Sequence, residues 1–119
     1  MPFITVDHLA GVDPEVRRRL QERVAQTVVD TLGVPPQNVR VFTRAFAPED
    51  VYRGDGDVTG ALPMVRVEFM TGRSLELKRK LMVALARVVA ETLGADAANV
   101  RTIIYENEPH HFCFGETPR

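Results

Sequence analysis

The sequence has a single cysteine, Cys113, so no intrachain disulfide can form. That fits a reducing compartment, and a cytoplasmic location is expected. Cys113 stands between Phe112 and Phe114, where a cysteine reads as a small packing residue rather than a nucleophile. Charge of one sign is not in excess. Lys+Arg number 15 and Asp+Glu 16, for a net charge of −1, which lacks the basic footprint of a nucleic-acid binder. No apolar run approaches the roughly 18 residues that span a membrane. The first residues alternate and soon reach Asp7 and His8, so no signal peptide is expected. Metal-ligand sets are missing too. Asp55 and Asp57 lack the further ligands of a calcium loop, and the adjacent His110 and His111 point apart in a strand. Neither a metal nor an organic cofactor is expected.

What remains is a chain of 119 residues, 45% hydrophobic and 26% charged, which reads as one soluble globular domain. Its beginning carries the first chemical possibility. Pro2 opens a strand, and Met followed by a small residue is the usual context for removal of the initiator Met. The nitrogen of Pro2 would then be a secondary amine. An α-amino group has a reference pKa of about 7.7–8.0, which burial or a nearby cation lowers, so such an amine can act as a base near neutral pH. A proline is also simply tolerated at a strand start, where its missing N–H costs little.

The chain repeats itself. At an offset of 61 residues it aligns without a gap from Pro2/Pro63 to Gly54/Gly115. Of 53 pairs, 16 are identical, among them Gly11/Gly72, Leu20/Leu81, Gly33/Gly94, Asn38/Asn99 and Arg40/Arg101. One register kept through strand, helix and turn positions marks a duplicated, fused unit. The units run over 2–54 and 63–115, joined by a linker over 55–62.

Each unit reads as β-α-β. Phe3 to Leu9 is a strand, Gly11 a turn, Asp13-Pro14 a helix start and Gly33 a helix end. Val16, Leu20, Val24, Val28 and Leu32 form one apolar stripe between them. Val39 to Phe46 is the second strand. The second unit follows with Met64 to Met70, Ser74 as N-cap, a stripe through Leu77, Leu81, Leu85, Val88 and Val89, and a last strand from Val100 to Tyr105. Right-handed crossovers then give an α/β fold: a four-stranded sheet with two helices on one face. The other face is expected to be apolar and bare, and so to be covered by another copy of the chain.

The halves differ at three places. Only Pro2 can carry a free amine, since the nitrogen of Pro63 is an internal amide. Arg73 stands opposite Val12, so one strand-to-helix turn alone carries a cation. The tails also diverge: Glu49-Asp50-Val51-Tyr52 against His110-His111-Phe112-Cys113. One half can supply an amine, the other a cation and an aromatic, which together point to one composite site.

These residues carry a family resemblance. Pro2, Gly11 and Val39-Arg40-Val41, with Gly72-Arg73-Ser74-Leu75-Glu76-Leu77-Lys78, Asn99-Val100-Arg101 and His111-Phe112, span nearly the whole chain. In them the chain resembles the tautomerase superfamily, whose prototype is 4-oxalocrotonate tautomerase. Its length is similar to that of malonate semialdehyde decarboxylase, cis-3-chloroacrylic acid dehalogenase and fused tautomerases, which are typically trimers. The resemblance implies Pro2 as catalytic base and Arg73 as the grip on a substrate carboxylate. It implies Phe112 as a wall of the site, and Arg40 or Arg101 as the strand arginine that completes it. Tyr52, from the diverged tail of the first unit, is counted with the substrate-binding candidates. The implied activity is keto–enol tautomerisation of a small unsaturated 2-oxo or 2-hydroxy acid. Two alternatives stand beside it. One is a cofactor-free decarboxylase or hydratase of a three-carbon acid, against which Met70 and Thr71 stand where those relatives carry a second arginine. The other is a non-catalytic oligomer, if Met1 is retained.

Overall fold

A computed structural model of the chain describes residues 1–58 and 60–119. Strand β1 (Phe3–Leu9) leads into helix α1 (Pro14–Leu32) and strand β2 (Arg40–Phe46). After the short strands β3 (Tyr52–Arg53) and β4 (Gly56–Asp57) the pattern recurs: β5 (Met64–Met70), α2 (Leu75–Leu93) and β6 (Arg101–Asn107). The short strands β7 (Cys113–Phe114) and β8 (Thr117–Pro118) end the chain.

The main sheet runs β2-β1-β5-β6. Within each unit the strands are parallel, Phe3 beside Arg40 and Met64 beside Arg101. Between units β1 and β5 are antiparallel, with Phe3 beside Glu68 and Asp7 beside Met64. The start of β1 therefore lies next to the end of β5, and the start of β5 next to the end of β1. Each end of this central pair brings together a strand start from one unit and a strand-to-helix turn from the other.

Alternation decides the two sheet faces. Ile4, Val6, Val65, Val67 and Phe69 point toward the helices and are fully buried against Leu20, Val24, Val28, Leu81, Leu85 and Val89. The two apolar stripes thus close one shared core between sheet and helices. Arg23 of α1 ties the helices together, donating from Nη1 to Thr92 Oγ1 and from Nη2 to Glu91, both at 2.7 Å.

Two expectations change in detail. Asp13 precedes α1 but makes no side-chain cap, whereas Ser74 Oγ accepts from Leu77 N at 3.2 Å. The sheet face away from the helices is mixed rather than simply apolar. Phe42, Ile103 and Tyr105 are exposed on its outer strands. At its centre, however, Asp7 is buried between two cations. Arg44 Nε and Nη2 donate to Asp7 at 2.7 and 3.0 Å, and Arg66 Nη1 donates to Asp7 Oδ2. A duplicated sheet can place charge on this face because β1 and β5 supply opposite signs side by side. The linker read over 55–62 also holds local order: β4 pairs with β3 as a small hairpin, while Thr59 of that linker lies outside the described residues.

Candidate active site

The candidate site forms where β1 begins. Pro2 is fully buried, and its carbonyl accepts from Arg40 N at 3.3 Å. That bond fixes the first turn of β1 against β2. Because β1 and β5 are antiparallel, the turn after β5 comes to the same place. Gly72 adopts φ +123°, a region open to glycine, and swings Arg73 beside the start of β1. The Arg73 guanidinium lies 4.7 Å from the centroid of the Phe69 ring, and that of Arg40 5.6 Å from the Phe3 ring. Aromatic faces hold both cations in place without neutralising them.

A cavity of about 410 Å³ opens here, lined by Met1, Asn38, the segment 70–73, Phe114 and Arg119. Its electrostatics are strongly cationic. Burial lowers the pKa of the Met1 amine below its ordinary 8.0, and the charges of Arg40, Arg119 and Arg73 lower it further. The chain terminus is therefore partly desolvated, with Arg73 and Arg119 in the cavity lining and the charge of Arg40 acting on it as well. Such a pocket attracts anions and keeps an amine neutral.

Pro2, Arg40 and Arg73 come together at this end of the sheet. Phe112 lies just behind the cavity wall, 5.9 Å from the Phe3 ring and 4.7 Å from the Phe114 ring, and it is Phe114 that lines the cavity. Arg101 and Tyr52 lie elsewhere in the chain. Arg101 sits beside Met64 at the opposite end of the central strand pair, the geometric counterpart of Arg40. Tyr52 pairs with Asp57 in the β3–β4 hairpin and is exposed. Arg119 was not singled out by sequence. Its backbone N–H donates to Phe112 O at 2.9 Å as the β7–β8 hairpin folds back to the cavity. The only sequence signal for that return was the turn residue Gly115, which matches Gly54.

Among the described residues, no cluster of His, Cys, Asp or Glu has the arrangement of a metal site. Among the described residues no helix is long and apolar enough to cross a membrane.

Comparisons with known proteins agree with this fold. A family model described as "Tautomerase enzyme" matches residues 2–60, and a second of the same description matches residues 44–115. A probable tautomerase of Halalkalibacterium halodurans is 35% identical over 51 residues, which cover 43% of this chain and 84% of that protein. One of Ralstonia nicotianae is 33% identical over 58 residues, covering 49% and 83%. Each of these relatives thus corresponds to about half of the present chain. Solved structures match end to end. A fused 4-OT in a symmetric trimer is 28% identical with a TM-score of 0.88, covering 97% of this chain and 93% of that one. Another native fused 4-OT is 27% identical with a TM-score of 0.90, covering 98% and 94%. A malonate semialdehyde decarboxylase inhibited by 3-bromopropiolate is 26% identical with a TM-score of 0.80, covering 95% and 88%. Two matched tautomerase models on one β-α-β-β-α-β chain, with short relatives matching half of it and fused structures the whole, place the protein in the tautomerase superfamily as a fused member.

Proposed function

We propose that the protein is a cofactor-independent keto–enol tautomerase that acts on a small unsaturated 2-oxo or 2-hydroxy acid, with the amine of Pro2 as general base after removal of Met1. The observation that carries this reading is the chain terminus lying in a cavity with Arg40, Arg73 and Arg119 around it. Removal of Met1 moves the free amine one residue inward, to Pro2, whose ring is buried while Met1 is in place. The same desolvation and the same cations then favour the neutral amine, which is the form that accepts a proton.

The chemistry follows from charge. A carboxylate entering the cavity pairs with the planar fork of Arg73. The neutral Pro2 nitrogen takes a proton from one carbon of the substrate and returns it to another. Negative charge develops on the carbonyl oxygen in between. Arg40, held over Phe3 at the same end of the sheet, stabilises that oxygen, an effect of about 3–4 kcal/mol for a well-placed donor. Phe114, backed by Phe112 and Phe3, walls the cavity on its apolar side.

We further read the chain as two fused units, 2–54 and 63–115, that assemble as a homotrimer. The trimeric fused 4-OT structure supports this assembly, as do Phe42, Ile103 and Tyr105 exposed on the open sheet face. The lone exposed Cys113 suits a cytoplasmic location. The malonate semialdehyde decarboxylase neighbour keeps a decarboxylase as the second reading.

Intact mass measurement of the protein from its native host, followed by kinetics on a 2-hydroxydienoate, tests the proposal. The expected mass lacks Met1, and Pro2→Ala is expected to reduce ketonisation about a hundredfold or more while the oligomer persists. Retention of Met1 in the native host would sink the base assignment and favour the non-catalytic oligomer. Release of CO₂ from a three-carbon oxo acid without ketonisation would favour the decarboxylase.

A further inference from the structure

Two arginines hold equivalent places in the two units. Arg40 opens β2 beside Phe3 of β1, and Arg101 opens β6 beside Met64 of β5. The backbone N–H of each donates to the proline that precedes the central strand, Arg40 to Pro2 O at 3.3 Å and Arg101 to Pro63 O at 3.2 Å. A short helical turn leads into each, over Pro36–Asn38 and Ala97–Asn99. Backbone and register are therefore alike, and both residues are exposed.

The side chains nonetheless diverge. Arg101 folds back onto its own turn, where Nη1 donates to Ala98 O at 2.9 Å. Gln37 stands at the place of Ala98 in the first unit, yet Arg40 makes no bond to its carbonyl among the described residues. The Arg40 guanidinium lies instead 5.6 Å from the centroid of the Phe3 ring. What differs is the neighbour. Phe3 offers an aromatic face that attracts a cation, and the thioether of Met64 offers none. Phe3 is itself supported. Its ring centroid lies 5.9 Å from that of Phe112, and Phe114 packs edge-on against Phe112 at 4.7 Å. The counterparts of Phe112 and Phe114 are Val51 and Arg53, so the far end has no such stack.

The placement decides where the charge acts. With its guanidinium over Phe3, Arg40 lowers the pKa of the amine at the chain terminus, more than Arg119 or Arg73 does. A guanidinium turned back onto its own turn, like that of Arg101, commits a donor to the backbone. Phe112, set behind the cavity wall, acts here as a buttress for Phe3. The last hairpin holds that buttress in place, since Arg119 N donates to Phe112 O at 2.9 Å.

We propose that Phe3, buttressed by Phe112, is a positioning residue whose ring selects the conformation in which Arg40 serves the site. Without such a ring, Arg101 stays bound to its own turn. The inference rests on the role proposed for Arg40 in stabilising the substrate oxygen, and it explains why one of two equivalent strand arginines takes that role. Phe3 acts through Arg40 and on no reacting atom.

A double-mutant cycle, read by kinetics on a 2-hydroxydienoate with Pro2 at the terminus, tests this. Phe3→Met installs the residue of the other unit. It is expected to lower kcat about two- to fivefold, the population change that one partly exposed cation–π contact supports, and to leave KM within about twofold. The pH–rate midpoint is expected to move upward, toward that of Arg40→Ala, because the cation leaves the amine. Phe3→Tyr keeps the ring and is expected to match wild type in both. Phe112→Val is expected to act in the same direction as Phe3→Met, by less. In the Arg40→Ala background, Phe3→Met is expected to change kcat no further. NMR gives a readout apart from turnover. The Arg40 side-chain protons are expected to show an upfield ring-current shift in wild type and Phe3→Tyr, and to lose it in Phe3→Met. Thermal melts verify that each variant is folded. A folded Phe3→Met protein with wild-type kcat and midpoint overturns the proposal, as does a fall in kcat that persists in the Arg40→Ala background. Unchanged kcat in Arg40→Ala strikes the oxygen role of Arg40 instead. The ring-current shift then decides, and its persistence in Phe3→Met overturns the positioning as well.

Discussion

Arg73→Ala separates binding from folding at one residue. In the folded protein the Arg73 side chain has two tasks. It rests on the face of Phe69, 4.7 Å from the ring centroid, and it presents its charge to the cavity. The first task concerns stability. A partly exposed cation–π contact contributes about 0.5–1 kcal/mol, and Phe69 stays buried by the core when the contact is lost. The second concerns substrate. A charge-assisted hydrogen bond to a carboxylate contributes about 1.5–3 kcal/mol, which is about a ten- to hundredfold change in kcat/KM. The grip is present before and during proton transfer, so the loss is expected mainly in KM. Arg73→Lys keeps the charge and loses the bidentate fork, and is expected to fall in between. Steady-state kinetics on a 2-hydroxydienoate, paired with urea unfolding, reads both effects. A variant that loses stability and keeps kcat/KM within about twofold would refute the carboxylate role, since twofold is only ~0.4 kcal/mol.

Other expectations follow from the same structure. The neutral Pro2 amine is the active form, and burial with three nearby arginines lowers the pKa of an amine here. Activity is therefore expected to rise with pH through a midpoint below that of a free N-terminal proline, and Arg40→Ala is expected to move that midpoint upward in a pH–rate profile. Asp7 sits buried between Arg44 and Arg66. Burial raises its pKa, but hydrogen bonds and charge from the two arginines outweigh that and hold it below 3.8. Asp7→Asn is expected to destabilise by about 2 kcal/mol, a figure below that for a fully buried pair because both arginines reach solvent. The contribution is present above the unfolded-state pKa and lost as pH falls through the folded one, so the gap in denaturant midpoint between wild type and variant is expected to close in acid. Ser74→Ala removes a formed N-cap and is expected to cost about 1 kcal/mol. Asp13→Ala, at a position with no side-chain cap, is expected to cost clearly less, as measured by thermal melts.

The long elements were legible from the sequence because each has a period. Seven-residue strands alternate and nineteen-residue helices carry a stripe, so β1, β5 and both helices fall where the pattern places them. The hairpins β3–β4 and β7–β8 were missed, since two-residue strands are too short to show a period. Arg119 was missed with them, because only the fold of the last hairpin brings the chain end back. The antiparallel joining of β1 and β5 also lies beyond local pattern. It places the start of β1 beside the end of β5, and so unites Pro2 with Arg73 and sends Arg101 to the far end. The charged centre of the open sheet face depends on the same register. Asp7 on one strand and Arg66 on the next meet only once that pairing is known.

That seam has a further consequence. Neither unit encloses a core alone: Ile4 and Val6 of one strand and Val65 and Val67 of its neighbour are sealed by both helices together. The tether between the units is incidental to their union, and the buried surface they share is what holds them. Each half is, in effect, the other's obligatory subunit. Covalent fusion has turned an encounter that depends on concentration into an internal one. It has thereby freed the two ends of the strand pair to carry different residues while the apolar core between them keeps the repeat.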